Sequence, residues 1–467
     1  MKTLLLQLPK NLDKRYDYDQ VAQPLGLACI SSYMKSQGKD VVLFDAHAHH
    51  MDREQILDYV AELAPDLVGL SIMTYHLPAI MSFLADLKQR LPHIKAMVGG
   101  PHVNAELDKV LRLHPEVDFA IMGEGEFTTV ELVDTLNSRG DLSGIKGLVY
   151  RDGDAIIVNG RRPYIEDLDA LPYPDWESLP IEKYWDVFTT KKNYARLFAS
   201  RGCPFSCSFC GAPRILGRKV RKRSPQHILG ELEMLYDTYG VREFLFNDST
   251  FNIDNDWVGE ICQGIIDMKR PLVWRCNVRA DRVELETIKL MKKAGCVKVI
   301  MGVESADEAM LQSMQKGETL EEIKRGIAIL KEAKMPSDHG FIIGMPGDTE
   351  ESILKSIEFA KEIKASVVTF SLATPFPGTA FYERAMEEGM VVEDWSKFDF
   401  FSVPYVPQGI TKERMLELYK HAVRTFYLRP SYLINRLFEM RSLTNLRINL
   451  WYAFRIFSRS FFNKSNK

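Results

Sequence analysis

The chain has 467 residues, 46% of them apolar, with a formal net charge of −3. At roughly 150 residues per domain this leaves room for about three units, and no nucleic-acid partner is expected from so neutral a chain. No secretory signal opens the sequence, and no run nears the roughly 18 uninterrupted apolar residues of a spanning helix. Of the seven cysteines, three crowd into 203–210. The other four, Cys29, Cys262, Cys276 and Cys296, are scattered and read as small buried hydrophobes. This is not a secreted disulfide framework; it points to a cytoplasmic protein with one cysteine site.

In chain order, residues 1–140 alternate short apolar runs, at 4–6, 41–44, 67–70, 96–98 and 119–122, with helix-like stretches at 26–37, 52–63, 78–90 and 126–138. That alternation predicts a parallel, doubly wound, Rossmann-like α/β domain. Such sheets bind ligands at the carboxyl ends of their strands. Those ends carry Ser71 to Thr74, Gly99-Gly100-Pro101-His102 and Gly123-Glu124-Gly125-Glu126. Their small residues allow a bulky ligand to approach the backbone.

Residues 141–194 read as a small hairpin and a Pro-rich linker. From 195 to 400 the alternation resumes, with strands expected at 195–200, 243–247, 273–277, 297–302, 340–344 and 367–372. Six such units predict a partial (βα)6 TIM-like barrel, with chemistry at its C-terminal strand ends. Residues 401–467 are expected to be helical.

Arg201-Gly202-Cys203-Pro204-Phe205-Ser206-Cys207-Ser208-Phe209-Cys210 follows the first barrel strand. Its C-x3-C-x2-C spacing supplies thiolates to three irons of a [4Fe-4S] cubane and leaves the fourth open. An open iron can chelate the amino and carboxylate groups of S-adenosylmethionine (SAM), whose reductive cleavage yields a 5′-deoxyadenosyl radical. A structural zinc site would need a fourth ligand, and no second Cys-x-x-Cys is visible.

The cysteine motif and the barrel signals after it resemble the radical SAM superfamily. The resemblance implies SAM contacts from Asn247 and Asp248, from Arg275 and Arg279, from Glu304 and Ser305, and from Ile343, Gly344 and Pro346 within the Gly-x-Pro-Gly segment. An α/β domain directly before such a barrel resembles the cobalamin-binding branch, which includes methyltransferases, anaerobic oxidative cyclases and lipid-modifying enzymes. It implies cobalamin held by Ser71, Thr74, Gly99, Gly100, His102, Gly123, Glu124 and Glu126. Asp45-Ala46-His47-Ala48-His49-His50 matches only the first half of the Asp-x-His-x-x-Gly pattern whose histidine ligates cobalt. His47 is therefore not assigned as a ligand, and these histidines read as solvated loop residues.

The resemblance thus implies an enzyme that methylates or rearranges an unactivated carbon of a small-molecule or lipid-like substrate, fed by a flavodoxin- or ferredoxin-type reductant. The alternatives are oxidative cyclisation without net methyl transfer and a non-catalytic zinc- or cobalamin-binding regulator. Methylthiotransferases carry extra N-terminal cysteines, and Cys29 alone does not supply them. The basic run Arg218 to Arg223 is either a meeting point for an anionic substrate group or a solvated face. Tyr405 and the loop 374–379 are expected to shape the substrate pocket. In 430–467, Leu443, Leu446, Leu450, Phe454, Phe457 and Phe461 recur at helical spacing among seven basic residues and one acid. This is the pattern of an interfacial helix, or of a helix packed on the barrel, and would place the protein peripherally at the inner membrane face.

Overall fold

In the first sheet each apolar run forms a strand that packs against a hydrophobic core on either side, so no polar face interrupts it. The computed structural model describes residues 1–12, 21–186, 188–191, 193–363, 365, 367–390, 392, 394–430 and 432. Nearly all of the basic tail lies outside the described residues. The first sheet contains β1 (Thr3–Gln7), β2 (Val41–Asp45), β3 (Leu67–Ser71), β4 (Lys95–Gly99) and β5 (Phe119–Ile121). These are mutually parallel in the order β2-β1-β3-β4-β5. Leu4, Leu6, Val68, Leu70 and Val98 pack to one side of it; Leu5, Leu67 and Met97 pack to the other with Leu27 and Ala28. The hairpin β6 (Leu148–Asp152) and β7 (Ala155–Val158) extends this sheet, β6 pairing antiparallel with β5.

The second unit begins with β8 (Tyr194–Leu197) and a two-strand ribbon, β9 (Ser200–Arg201) and β10 (Arg221–Lys222). It continues through β11 (Glu243–Phe246), β12 (Val273–Val278), β13 (Cys296–Glu304), β14 (Ser337–Ile343) and β15 (Val367–Leu372). The six longer strands form one parallel sheet in the order β15-β14-β13-β12-β11-β8, the partial barrel expected from the sequence. Helix starts are set locally: Asp52, Thr319 and Thr349 each close a capping box, and Ser224 caps a helix opened by Pro225. The two units are strapped together. Gln23 Nε2 donates to the Tyr194 carbonyl at 2.6 Å, Ser31 Oγ to Asp175 at 2.6 Å, and Trp176 Nε1 to Glu231 at 2.8 Å. The strand order of the first sheet reverses beside β1, which opens a crevice at the carboxyl ends of β1 and β3.

Candidate active site

The three thiols of 203–210 lie on one loop leaving β9. Cys203 is buried, and its N–H donates to the Gly217 carbonyl at 3.0 Å. The Cys210 N–H turns back onto the Cys207 carbonyl at 3.1 Å, and the Ser208 N–H donates to the Met314 carbonyl at 2.8 Å. Phe209 packs against Met310, Met314, Met345, Phe381 and Tyr405. Burial, and then the nearness of Cys207 and Cys203, push the Cys210 thiol up to about 11, against an opposing hydrogen bond from the Ala212 N–H. Burial likewise raises Cys207, which Lys316 and Arg279 draw back down. Iron therefore has protons to displace here. Among the described residues no three His, Cys, Asp or Glu side chains converge on a single-ion site.

Strand-end residues converge on this loop. The Arg279 guanidinium lies 3.5 Å from the Phe205 ring centroid and donates to the Lys316 carbonyl at 3.2 Å. Lys316, buried, reaches Glu304 and Glu318, each at 3.2 Å. Glu304 ends β13 with φ +66°, and its carboxylate folds over Gly302, where any Cβ would collide with it. Gly344 and Gly347 turn with φ +91° and +92°. Asp348 fixes that turn by accepting from the Gly344 and Met345 N–H groups at 2.9 and 3.0 Å. Sequence reasoning missed Lys316, whose only signal is Lys-Gly-Glu directly after a short helix.

A cavity of ≈ 370 Å³ lies between the two units. Ser71, Gly99, Gly100, Gly123, Glu124 and Glu126 of the predicted set line it, together with Asn247 and Arg201 of the barrel. A Cβ added at Gly26 or Gly123 would meet nothing within 4 Å, so both open onto free space. Gln23 lines the cavity as well, and its Oε1 is buried without a hydrogen-bond partner. A glycine cradle with an orphaned acceptor suits a flat macrocycle rimmed with amide donors, which is what a corrin presents.

Several expectations are corrected. Arg275 lies near the start of β12, where Asp186 at 2.9 Å and Glu243 at 3.4 Å hold it in a buried ion pair. It is withdrawn from the SAM set. Ser305 hydrogen-bonds Ser356 at 3.3 Å and the Asp307 N–H at 3.1 Å, which serves the turn. Asp248 accepts from Ser200 Oγ at 2.5 Å and the Ala199 N–H at 3.1 Å, and so ties β11 to the root of the cluster loop. Ile343 is buried within the sheet. Thr74 and His102 do not line the cavity; they meet each other at 3.3 Å, with the His102 ring edge-on to Trp395. His47 is buried, against expectation, whereas His49 and His50 are exposed as expected, His49 stacking on Phe44. Cys29 lines the cavity, whereas Cys262, Cys276 and Cys296 are core residues as expected. The basic run is a solvated face at Arg218, Lys219 and Lys222, but Arg221 and Arg223 turn inward and are buried. Arg218 donates to Ser206, Arg221 to Glu124 and Arg223 to Glu231, while Lys219 and Lys222 pair with Glu166 and Asp254.

Burial lowers the His102 pKa to about 4. A folded-state pKa below the unfolded value gives stability that is present above about 6.5 and lost as pH falls towards 4. His102→Gln is expected to flatten the acid limb of the melting profile by about 2–3 kcal/mol at pH 4. An unchanged acid limb would place the titrating group elsewhere.

A doubly wound domain facing a partial parallel barrel, with a three-thiol loop at the seam, defines an enzyme built around two cofactor sites. The Radical SAM superfamily profile matches residues 197–360, and the B12 binding domain profile matches residues 17–133. An uncharacterized methyltransferase of Pyrococcus horikoshii is 30% identical over 440 residues, spanning 94% of this chain and 95% of the relative. The anaerobic magnesium-protoporphyrin IX monomethyl ester cyclase of Rubrivivax gelatinosus is 27% identical over 417 residues, spanning 88% of this chain and 74% of that protein. The fold is similar to that of the radical SAM methyltransferase TsrM from Kitasatospora setae, solved with cobalamin and a [4Fe-4S] cluster bound. The TM-score is 0.71 at 17% identity, covering 92% of this chain and 90% of that one. The chain belongs to the radical SAM superfamily, in its cobalamin-binding branch, and is an enzyme whose cofactors are a [4Fe-4S] cluster, SAM and cobalamin.

Proposed function

We propose that the chain methylates an unactivated carbon of a small molecule, with Cys203, Cys207 and Cys210 holding the cluster. The observation that carries this reading is continuity between the sites: Arg201, Ile215 and Leu216, which flank the thiol loop, also line the cavity of the first domain. When bound, the cluster and SAM supply a radical and cobalamin supplies the methyl carrier. Glu304, Arg279 and the turn at Gly344 and Pro346 hold SAM beside the loop, with Lys316 orienting Glu304. Ser71, Gly99, Gly100, Gly123, Glu124 and Glu126, with Gln23, hold the corrin, while Asn247 faces it from the barrel. Oxidative cyclisation is the second reading, favoured by likeness to the cyclase. A flavodoxin- or ferredoxin-type protein is the electron donor in either case. Among the described residues no helix is long and apolar enough to cross a membrane. Peripheral contact through 430–467 rests on the sequence pattern alone, and is abandoned if the protein ignores anionic liposomes with and without those residues.

Protein made anaerobically with cobalamin supplied is expected to carry near one cobalt and about four irons per chain. Incubated with methyl-labelled SAM and candidate substrates, it should pass label to carbon. Iron without cobalt would remove the methyl carrier. Turnover without label transfer would move the assignment to cyclisation.

A further inference from the structure

We propose that Arg201 is a positioning residue through which filling of the cobalamin cavity is coupled to the geometry of the cluster loop. The inference rests on the reading that this cavity holds cobalamin. Its physical basis is a short, buried chain of charged contacts. The Arg201 fork places Nη1 2.8 Å from Glu124 and Nη2 2.7 Å from Glu126. Both carboxylates stand on the turn after β5, between and beside Gly123 and Gly125, and all of these residues line the cavity. Their side chains are 7% and 4% exposed, and that of Arg201 13%. Charge-assisted contacts of a planar fork are strong and directional, and at this burial little solvent screens them. Burial opposes the charge on Glu124, but Arg221 and Arg201 outweigh it and hold its carboxyl below the usual range.

The other end of the chain has no slack. A single residue, Gly202, separates Arg201 from Cys203. It sits at φ +110°, where any Cβ would collide with the Lys219 carbonyl. Arg221 pairs with Arg201 across the β9–β10 ribbon and puts its own guanidinium on Glu124 at 2.8 Å. The ribbon that launches the first cluster ligand is thus gripped twice by the cavity wall. The neighbouring pairs Lys219–Glu166 and Lys222–Asp254 are more exposed and contribute little by comparison. A ligand that presses on the turn 123–126 acts on the carboxylates holding Arg201, and so on the backbone two residues before Cys203. Such coupling is reciprocal: a formed cluster alters cobalamin affinity by the same factor as bound cobalamin alters cluster stability.

The test uses the full chain, with the cluster reconstituted or removed by chelation, titrated with hydroxocobalamin and followed by visible absorbance. In the wild type the two dissociation constants are expected to differ by about fivefold or more. Arg201→Lys keeps the charge but loses the fork; both sites should still load, with the ratio of constants falling towards one. Glu126→Gln removes one arm and should give an intermediate ratio. The midpoint potential of the cluster, measured by electron paramagnetic resonance with and without cobalamin, should shift in the wild type and not in Arg201→Lys. A wild-type ratio of one with cobalamin bound overturns the coupling and leaves the cofactor reading intact. Failure of the wild type to bind hydroxocobalamin overturns both. A wild-type ratio retained in Arg201→Lys, or in Glu126→Gln where the lysine variant does not fold, removes Arg201 from the role.

Discussion

Cys207→Ala is expected to lose its cluster iron and to stop forming 5′-deoxyadenosine from SAM, a drop of at least about a thousandfold. Three thiolates are the least that leave a cubane with one open iron, and Cys207 is the middle of the three. The loop offers no replacement. Phe205 and Phe209 pack on Arg279 and on the methionine-rich cluster, and the Ser206 hydroxyl accepts from Arg218 at 2.8 Å. Because most of the cavity wall belongs to the first sheet and its turns, hydroxocobalamin should still bind the variant, with the affinity of the cluster-free protein. Cys276→Ala is the matched control: its thiol is fully buried in the barrel core and should be neutral for iron. SAM cleavage that persists in Cys207→Ala would sink the cluster assignment.

Gly100→Ala is expected to do the reverse, weakening cobalamin binding by about tenfold or more while leaving iron and SAM cleavage in place. Gly100 has φ +98° and ψ −174°, a region that residues with a Cβ essentially do not enter. An added Cβ would lie 2.7 Å from Ser71 Oγ, 2.9 Å from the Ile72 nitrogen and 3.1 Å from the Ile72 oxygen. Two of these are backbone atoms already fixed, with the Ile72 N–H on the Gly99 carbonyl and the His102 N–H on the Ile72 carbonyl. The floor of the cavity must then shift, at a cost of about 1–3 kcal/mol from backbone strain alone. About 1.4 kcal/mol of that appearing in binding is tenfold in affinity. Cobalt loading at the wild-type level would show that the floor does not bear on the corrin.

The strands were legible because their signal is local. Leu67–Ser71 is a short, nearly all apolar run that follows Pro65-Asp66, and a parallel strand packed against hydrophobic cores on both sides favours such runs. The cysteine loop was legible because its chemistry is encoded in spacing. Arg275 and Arg279 mark the limit of local signals: a sequence does not say which end of a strand meets the linker, and Asp186, 89 positions earlier, decided the fate of Arg275. Arg221 is a similar case. A run of six residues with five cations looks like a single solvated face, but the fold brings buried Glu124 and Glu231 against two of them, Arg221 and Arg223. Lys316 escaped notice because a buried lysine is defined by its partners, and one of them, Glu304, comes from the end of another strand.

The pairing of β6 with β5 also limits how the molecule can be divided. A cut near residue 140, where the helix-strand alternation stops, would strip the hairpin from the first sheet and leave β5 as a bare margin. Its unpaired amide and carbonyl groups would then invite a second chain to pair with it, the usual route from an exposed strand edge to aggregation. A soluble first half must therefore extend past Val158, where β7, short and partly exposed, is the natural margin of the sheet.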